Sequence, residues 1–293
     1  AHPTLYELAA RLQGDGEWFG TNHAIPIRET GSERPLFVTH DALGVVFYGQ
    51  ILRPHLDPEI PVYALPGPLN DTDELESLDD LVTRLVRMIT EVQPEGPYRV
   101  AGWSAGGAYA YAVAERLVGA GQAVEFVGLL DTIYPGPMPV PDSPMMRQHR
   151  VLGVLSWATG EMRPTPEALM ALRADGEGLD MAGFIAACKA RALLPESVTV
   201  ERAEQVALRL DLLERSYEEI VPGPLPASVH IFSTDAAEAS GDPRRGWNDL
   251  PGARPFQLVR VPGDHNTMWS KGNVEVLGAA ISRAVHASAA GGG

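Results

Sequence analysis

Short apolar runs rich in β-branched residues recur along the chain and alternate with stretches whose apolar residues step by three and four. The runs at 36–40, 62–65, 98–102, 124–130, 228–234 and 256–261 predict buried strands. Helical patterns fall between them at 45–55, 75–92, 107–118 and 274–286. A strand that alternates with a helix implies a mostly parallel sheet with helices on both faces. The segment at about 138–225 breaks the alternation: a Pro-rich entry (Pro135, Pro137, Pro139, Pro141, Pro144) leads into helical patterns with no strand signal. Its strongest helix spans 200–220, with Ala203, Val206, Leu210, Leu213, Tyr217 and Ile220 on one stripe, and Pro222 and Pro224 stop it. Such an insertion between two sheet strands is expected to form a helical lid over the strand ends, where these folds place their sites.

Composition narrows the function. Hydrophobic residues make up 45% of the 293 and charged residues 21%, enough for a large core in one α/β domain. The net charge of −15, without a basic run, argues against nucleic acid or an anionic membrane as partner. The single cysteine, Cys188, allows no internal disulfide and makes a Cys-based metal site implausible. No apolar stretch approaches a membrane span, and the first residues lack a signal-peptide pattern, so the cytoplasm is the expected compartment.

The strongest chemical signal is Gly102-Trp103-Ser104-Ala105-Gly106-Gly107, set between an apolar strand and an Ala-rich helix. A sharp strand-to-helix turn there exposes the serine at a helix N-terminus and aims the Ala105 N–H at a reacting carbonyl oxygen. Among eight histidines, His265 stands out, because it follows the last strand through Pro262-Gly263-Asp264 and precedes the final helix. That is the place of the base in the chain order Ser, Asp, His. Two aspartates compete for the acid: Asp131 ends the strand after the serine's helix, and Asp235 ends the strand at 228–234. Spacing leaves both open. Asp264, next to His265 in sequence, is expected to shape the turn.

These residues carry a family resemblance. The run from Gln93 to Gly107 resembles the nucleophile region of thioesterase domains that end non-ribosomal peptide synthetases. Leu129-Leu130-Asp131-Thr132 resembles their acid motif, and Val261-Pro262-Gly263-Asp264-His265 their histidine motif. The resemblance implies an α/β-hydrolase fold with Ser104, Asp131 and His265 as catalytic triad. His40-Asp41-Ala42-Leu43-Gly44 is similar to the family's His-Pro-Ala-Gly-Gly type loop, which makes the Ala42 N–H the second oxyanion donor; Leu43 departs from the family's glycine. The segment His2–Leu12 resembles the last helix of a carrier domain, so residues 1–22 are expected to be a carrier remnant and linker, and 23–293 the thioesterase domain.

The implied activity is release of a peptidyl or acyl chain from a 4′-phosphopantetheine thioester on an upstream carrier domain. It runs through an acyl-Ser104 ester and needs no metal or cofactor of the protein's own. The length of the insertion at about 138–225, enough to exclude water from that ester and hold a chain folded, makes macrocyclisation the expected outcome in preference to hydrolysis. A freestanding editing thioesterase and a carboxylesterase would use the same triad. A non-catalytic binding module of hydrolase fold is the alternative from another class.

Overall fold

The computed structural model describes residues 21–68, 75–136, 143–158, 172, 178–248, 250, 252 and 254–290. Seven strands form one sheet in the order β1-β3-β2-β4-β5-β6-β7. They are β1 (Ile25–Arg28), β2 (Leu36–Thr39), β3 (Val62–Leu65), β4 (Tyr98–Trp103), β5 (Val124–Leu130), β6 (Ser228–Thr234) and β7 (Gln257–Val261). All neighbours run parallel except β1, which pairs antiparallel with β3 at the sheet edge. β1 escaped the sequence pattern because a four-residue edge strand, Ile-Pro-Ile-Arg, buries one side chain and carries a proline. The remaining strands lie where the hydrophobic runs predict them, within one residue at either end.

Alternation along the strands divides the core in two. Leu36 and Val38 face one cluster, packed against the C-terminal helix Asn273–Ala290 through Leu277, Ile281 and Val285. Phe37, Val100, Val127 and Leu129 face the other, packed against helices Leu78–Val92 and Ala105–Gly119. Ser77 opens the first of these two with a capping box: its hydroxyl accepts the Asp80 N–H, and the Asp80 carboxylate accepts the Ser77 N–H.

The inserted segment contributes helices Pro144–Ala158, Met181–Ala190 and Val200–Glu219, with no strand among its described residues. Thr199 caps the last helix by accepting the Arg202 N–H, a contact worth about 1 kcal/mol. Val206 and Leu210 on it join the first core cluster, and Leu213, Tyr217 and Ile220 join the second, so the insertion is packed into the body of the fold. The segments at 137–142, 159–171 and 173–177 fall outside the described residues, as do residues 1–20 with the expected carrier helix. Among the described residues no helix is long and apolar enough to cross a membrane.

Candidate active site

The carboxyl ends of the six parallel strands lie along one edge of the sheet. The chain leaves β2 towards β3 on one side and returns to β4 on the other, which opens a crevice at the carboxyl ends of these strands. Ser104 sits at the end of β4, with φ 58° and ψ −130°, outside the regions that L-residues favour. Close packing enforces this turn. A Cβ on Gly102 would come within 2.1 Å of the Gly106 carbonyl carbon, and one on Gly107 within 2.0 Å of Thr132 Oγ1. The Ser104 N–H continues the ladder with β5 by donating to the Leu130 carbonyl at 3.1 Å. The hydroxyl is thus held at the mouth of the crevice by its own backbone.

Asp131 follows β5 and also has a positive φ, 45°. Its N–H donates to the Phe232 carbonyl of β6 at 2.9 Å, and its side chain is fully buried. His265 reaches it from the loop after β7: Nδ1 lies 2.8 Å from Asp131 Oδ2, and Nε2 lies 3.1 Å from Ser104 Oγ. The three side chains therefore form one hydrogen-bonded line from a buried carboxylate to an accessible hydroxyl. The imidazole stacks on the Trp103 ring, with centroids 4.9 Å apart, and the Trp103 indole N–H donates to the His265 carbonyl at 3.2 Å. Asp264 shapes the loop by accepting the N–H groups of Asn266 and Thr267. Those bonds hold its carboxyl below the usual carboxylate range.

Asp235, the competing acid, lies elsewhere. Its carboxylate accepts the Gly263 N–H at 3.0 Å and so steadies the loop that carries His265, while the imidazole turns to Asp131.

The Asp131 carboxylate has two further partners that the sequence did not single out. Thr234 donates to Oδ1 at 3.1 Å, and Arg245 donates through Nε to Oδ1 at 3.0 Å and through Nη2 to Oδ2 at 2.8 Å. Burial works to raise this carboxyl, but the His265 hydrogen bond and the Arg245 charge outweigh it and hold it below the usual range. Nothing in the sequence around Arg245, 114 residues from Asp131, marks this contact.

Ala105 is the first residue of the helix after Ser104, so its N–H has no partner within the helix, and the residue lines the cleft beside Ser104. Ala42 lies in a loop organised by Asp41. The Asp41 carboxylate accepts the N–H groups of Leu43 and Val45, and its carbonyl accepts that of Gly44. This Asx turn tightens the loop although Leu43 stands where the resembling family has glycine. The loop's positive φ, 76°, falls on Gly44. Among the described residues no protein acceptor takes the Ala42 N–H. His40, which starts the loop, is wholly buried against Tyr109, and that burial lowers its pKa to about 4.

Ser104, Ala105 and Ala42 open into one cleft of about 530 Å³, its mouth included. The inserted helices supply the facing wall through Leu213, Tyr217 and an ion pair, Arg150 Nη2 to Glu214 Oε2 at 2.8 Å.

The sequence model of the family described as thioesterase domain matches residues 34–283. Chondramide synthase of Chondromyces crocatus is 29% identical over 280 residues, which cover 89% of this chain and 7% of that protein. A dimodular non-ribosomal peptide synthase of Bacillus subtilis is 32% identical over 145 residues, 48% of this chain and 6% of the synthase. The chain thus spans less than a tenth of either relative. Among solved structures, a four-domain non-ribosomal peptide synthetase bound to AMP and glycine superposes with a TM-score of 0.71 at 24% identity, covering 89% of this chain and 20% of that one. The NocB thioesterase domain, in covalent complex with a fluorophosphonate nocardicin G analogue, gives 0.58 at 21% identity, covering 87% and 96%.

Proposed function

This chain belongs to the thioesterase-domain family, and from that premise we propose that it ends the work of a peptide synthetase by releasing a peptidyl chain from a carrier domain. The observation that carries the reading is the line Ser104–His265–Asp131, closed at 3.1 and 2.8 Å. The substrate is a thioester on the 4′-phosphopantetheine arm of an upstream carrier domain. The relatives that this chain matches include a non-ribosomal peptide synthase and chondramide synthase, which supports that partner.

In the first half-reaction, Ser104 Oγ attacks the thioester carbonyl while His265 Nε2 takes the hydroxyl proton. The N–H groups of Ala105 and Ala42 hold the negative oxygen of the tetrahedral intermediate. Collapse breaks the carbon–sulfur bond, and the imidazolium returns its proton to the departing pantetheine thiolate. In the second half, His265 deprotonates the incoming nucleophile, which displaces the Ser104 alkoxide and regenerates the hydroxyl.

The preferred nucleophile is an amine or hydroxyl of the bound chain itself, which yields a ring. The support is the cleft beside Ser104, walled by inserted helices that contribute Leu213, Tyr217 and the Arg150–Glu214 ion pair opposite Ala42, Ala105, Tyr109 and Ile133. Such a wall screens the ester from bulk water and keeps a chain folded over it. An aligned internal nucleophile reaches an effective concentration of about 10⁵ M or more, against roughly 55 M for water.

Two measurements test this. A fluorophosphonate, the chemistry captured on the NocB domain, is expected to label Ser104 stoichiometrically. A full-length peptidyl pantetheine thioester with a free internal amine or hydroxyl is expected to give mostly cyclic product by mass spectrometry. Linear acid alone, across several chain lengths, would refute cyclisation and leave thioester release standing.

A further inference from the structure

Among the described residues, four that are not glycine have a positive φ: Ser104, Asp131, Ala192 and Arg245. Three of the four belong to a single hydrogen-bonded cluster. Strain concentrated in this way persists only where the surroundings over-determine the backbone. At Arg245, with φ 52°, the surroundings are explicit. Its carbonyl accepts the Tyr134 N–H at 2.8 Å, and its N–H donates to the Asp242 carbonyl at 3.1 Å. Two residues on, the Trp247 ring is fully buried and its indole donates to the Thr132 carbonyl at 3.1 Å. Residues 242–247 are thereby clamped onto the segment 131–134 that carries the acid, and the clamp aims the guanidinium at Asp131.

The contact is a side-on fork, with Nε on one carboxylate oxygen and Nη2 on the other. Thr234 and His265 take the remaining acceptor positions, so the carboxylate makes four hydrogen bonds and has no freedom to rotate. Arg245 Nη2 and His265 Nδ1 both lie 2.8 Å from Asp131 Oδ2. Two potential cations therefore share one buried anion. A guanidinium stays charged throughout the range in which an imidazole titrates.

We propose that Arg245 is a positioning residue of this site: it fixes the Asp131 carboxylate in the orientation His265 requires, and its permanent charge keeps the imidazole neutral, and so competent as a base, at lower pH than an Asp–His pair alone would allow. The proposal rests on the reading of Ser104, His265 and Asp131 as a catalytic triad. The sign follows from charge balance. Asp131 favours the imidazolium, and Arg245, about 6 Å or less away across one oxygen atom, opposes it. The other groups around His265 are Asp264 in its own loop and Asp235, whose carboxylate accepts the Gly263 N–H of that loop, two anions whose effect is common to every variant, and Trp103 and Ser104, which carry no charge. Removal of the Arg245 charge raises the pH at which the imidazole takes up a proton, and activity is then lost at higher pH as the solution is acidified.

The test compares the wild type with Arg245→Met and Arg245→Lys. ¹⁵N NMR of the His265 imidazole gives its titration midpoint without any turnover, and kcat/KM against pH on a peptidyl pantetheine thioester gives the acid limb. The expected result is a midpoint and acid limb about one pH unit higher in the Met variant, with most of the shift reversed in the Lys variant. If the Met variant does not fold, Arg245→Gln keeps a donor to Asp131 without the charge and is expected to show the same upward shift. A folded uncharged variant whose midpoint equals that of the wild type would overturn the proposal and reduce Arg245 to a structural clamp. A wild type that titrates as expected but turns over no thioester would instead defeat the functional reading.

Discussion

The sheet edge and the inserted helices meet at the same cleft but are held by different means. At the sheet edge, backbone positions the chemistry. Ser104 and Asp131 each donate an N–H to a neighbouring strand as a continuation of its ladder, and each has a positive φ. The inserted helices reach the sheet through side chains instead. Tyr109 and Tyr111, on the helix after Ser104, donate to the carbonyls of Leu213 and Gly223, and Tyr217 donates back to that of Ile133. Between themselves, helices Pro144–Ala158 and Val200–Glu219 are joined by the ion pairs Arg147–Asp211 and Arg150–Glu214. Such partly exposed pairs contribute little individually to the scaffold. The difference separates what must not vary from what can: a reaction needs atoms fixed within a fraction of an ångström, whereas a wall around a variable chain needs only shape and apolar surface.

The comparison breaks if a residue of the insertion proves necessary for covalent chemistry. Ser104→Ala is expected to abolish acyl-enzyme formation and to cost on the order of 10⁶ in turnover, whereas Cys188→Ala is expected to leave turnover unchanged. Cys188 is the free thiol of the inserted helix Met181–Ala190, and burial pushes its pKa up to about 11, so it is neither accessible nor ionised. Intact-protein mass spectrometry after exposure to a peptidyl thioester reads both. Covalent acylation that survives Ser104→Ala would place the nucleophile elsewhere.

Within the sheet edge, the next largest effect separates the two aspartates. Asp131→Asn is expected to lower kcat by roughly 10⁴ with little change in the circular dichroism spectrum, because the amide leaves the imidazole in the wrong tautomer. Asp235→Asn keeps one side-chain oxygen to accept the Gly263 N–H and is expected to cost less than tenfold. A reversal of the two effects would move the acid to the end of β6.

The smallest effect sharpens the contrast between the regions. Tyr111→Phe deletes one hydroxyl bond to the Gly223 carbonyl, at 2.6 Å, without touching the cleft lining. It is expected to cost about 1 kcal/mol in denaturant unfolding. Ser104 acylation is expected to stay within about twofold of the wild type, while the share of linear acid rises as the helical wall loosens. A tenfold fall in acylation would show that insertion and sheet edge are one mechanical unit.

Much of this protein is legible in the order of its residues. Short, nearly continuous apolar runs mark six of the seven described strands because both faces of a parallel sheet are buried, and burial writes itself into composition. Ser104 announces itself through its small neighbours, since only a chain that lacks side chains at 102, 106 and 107 can make so close a turn. His265 follows from its place between the last strand and the last helix. Spacing alone stopped short of choosing an aspartate: Asp131 and Asp235 both end strands of this sheet, and only the resemblance carried by Leu129–Thr132 pointed to Asp131 as the one an imidazole from a third loop will meet. Strand order decided it. With β5 adjacent to β4 and to β6, the Asp131 carboxylate comes within 2.8 Å of His265 Nδ1, while Asp235 is turned to the Gly263 amide. The same is true of Arg245 and Thr234. Each is an ordinary residue in an unremarkable stretch, and its meaning arises from contacts across more than a hundred positions of chain. Periodicity and turn chemistry are local and survive in the sequence; the pairing of charges is a property of distance in space, and only the closed fold sets those distances.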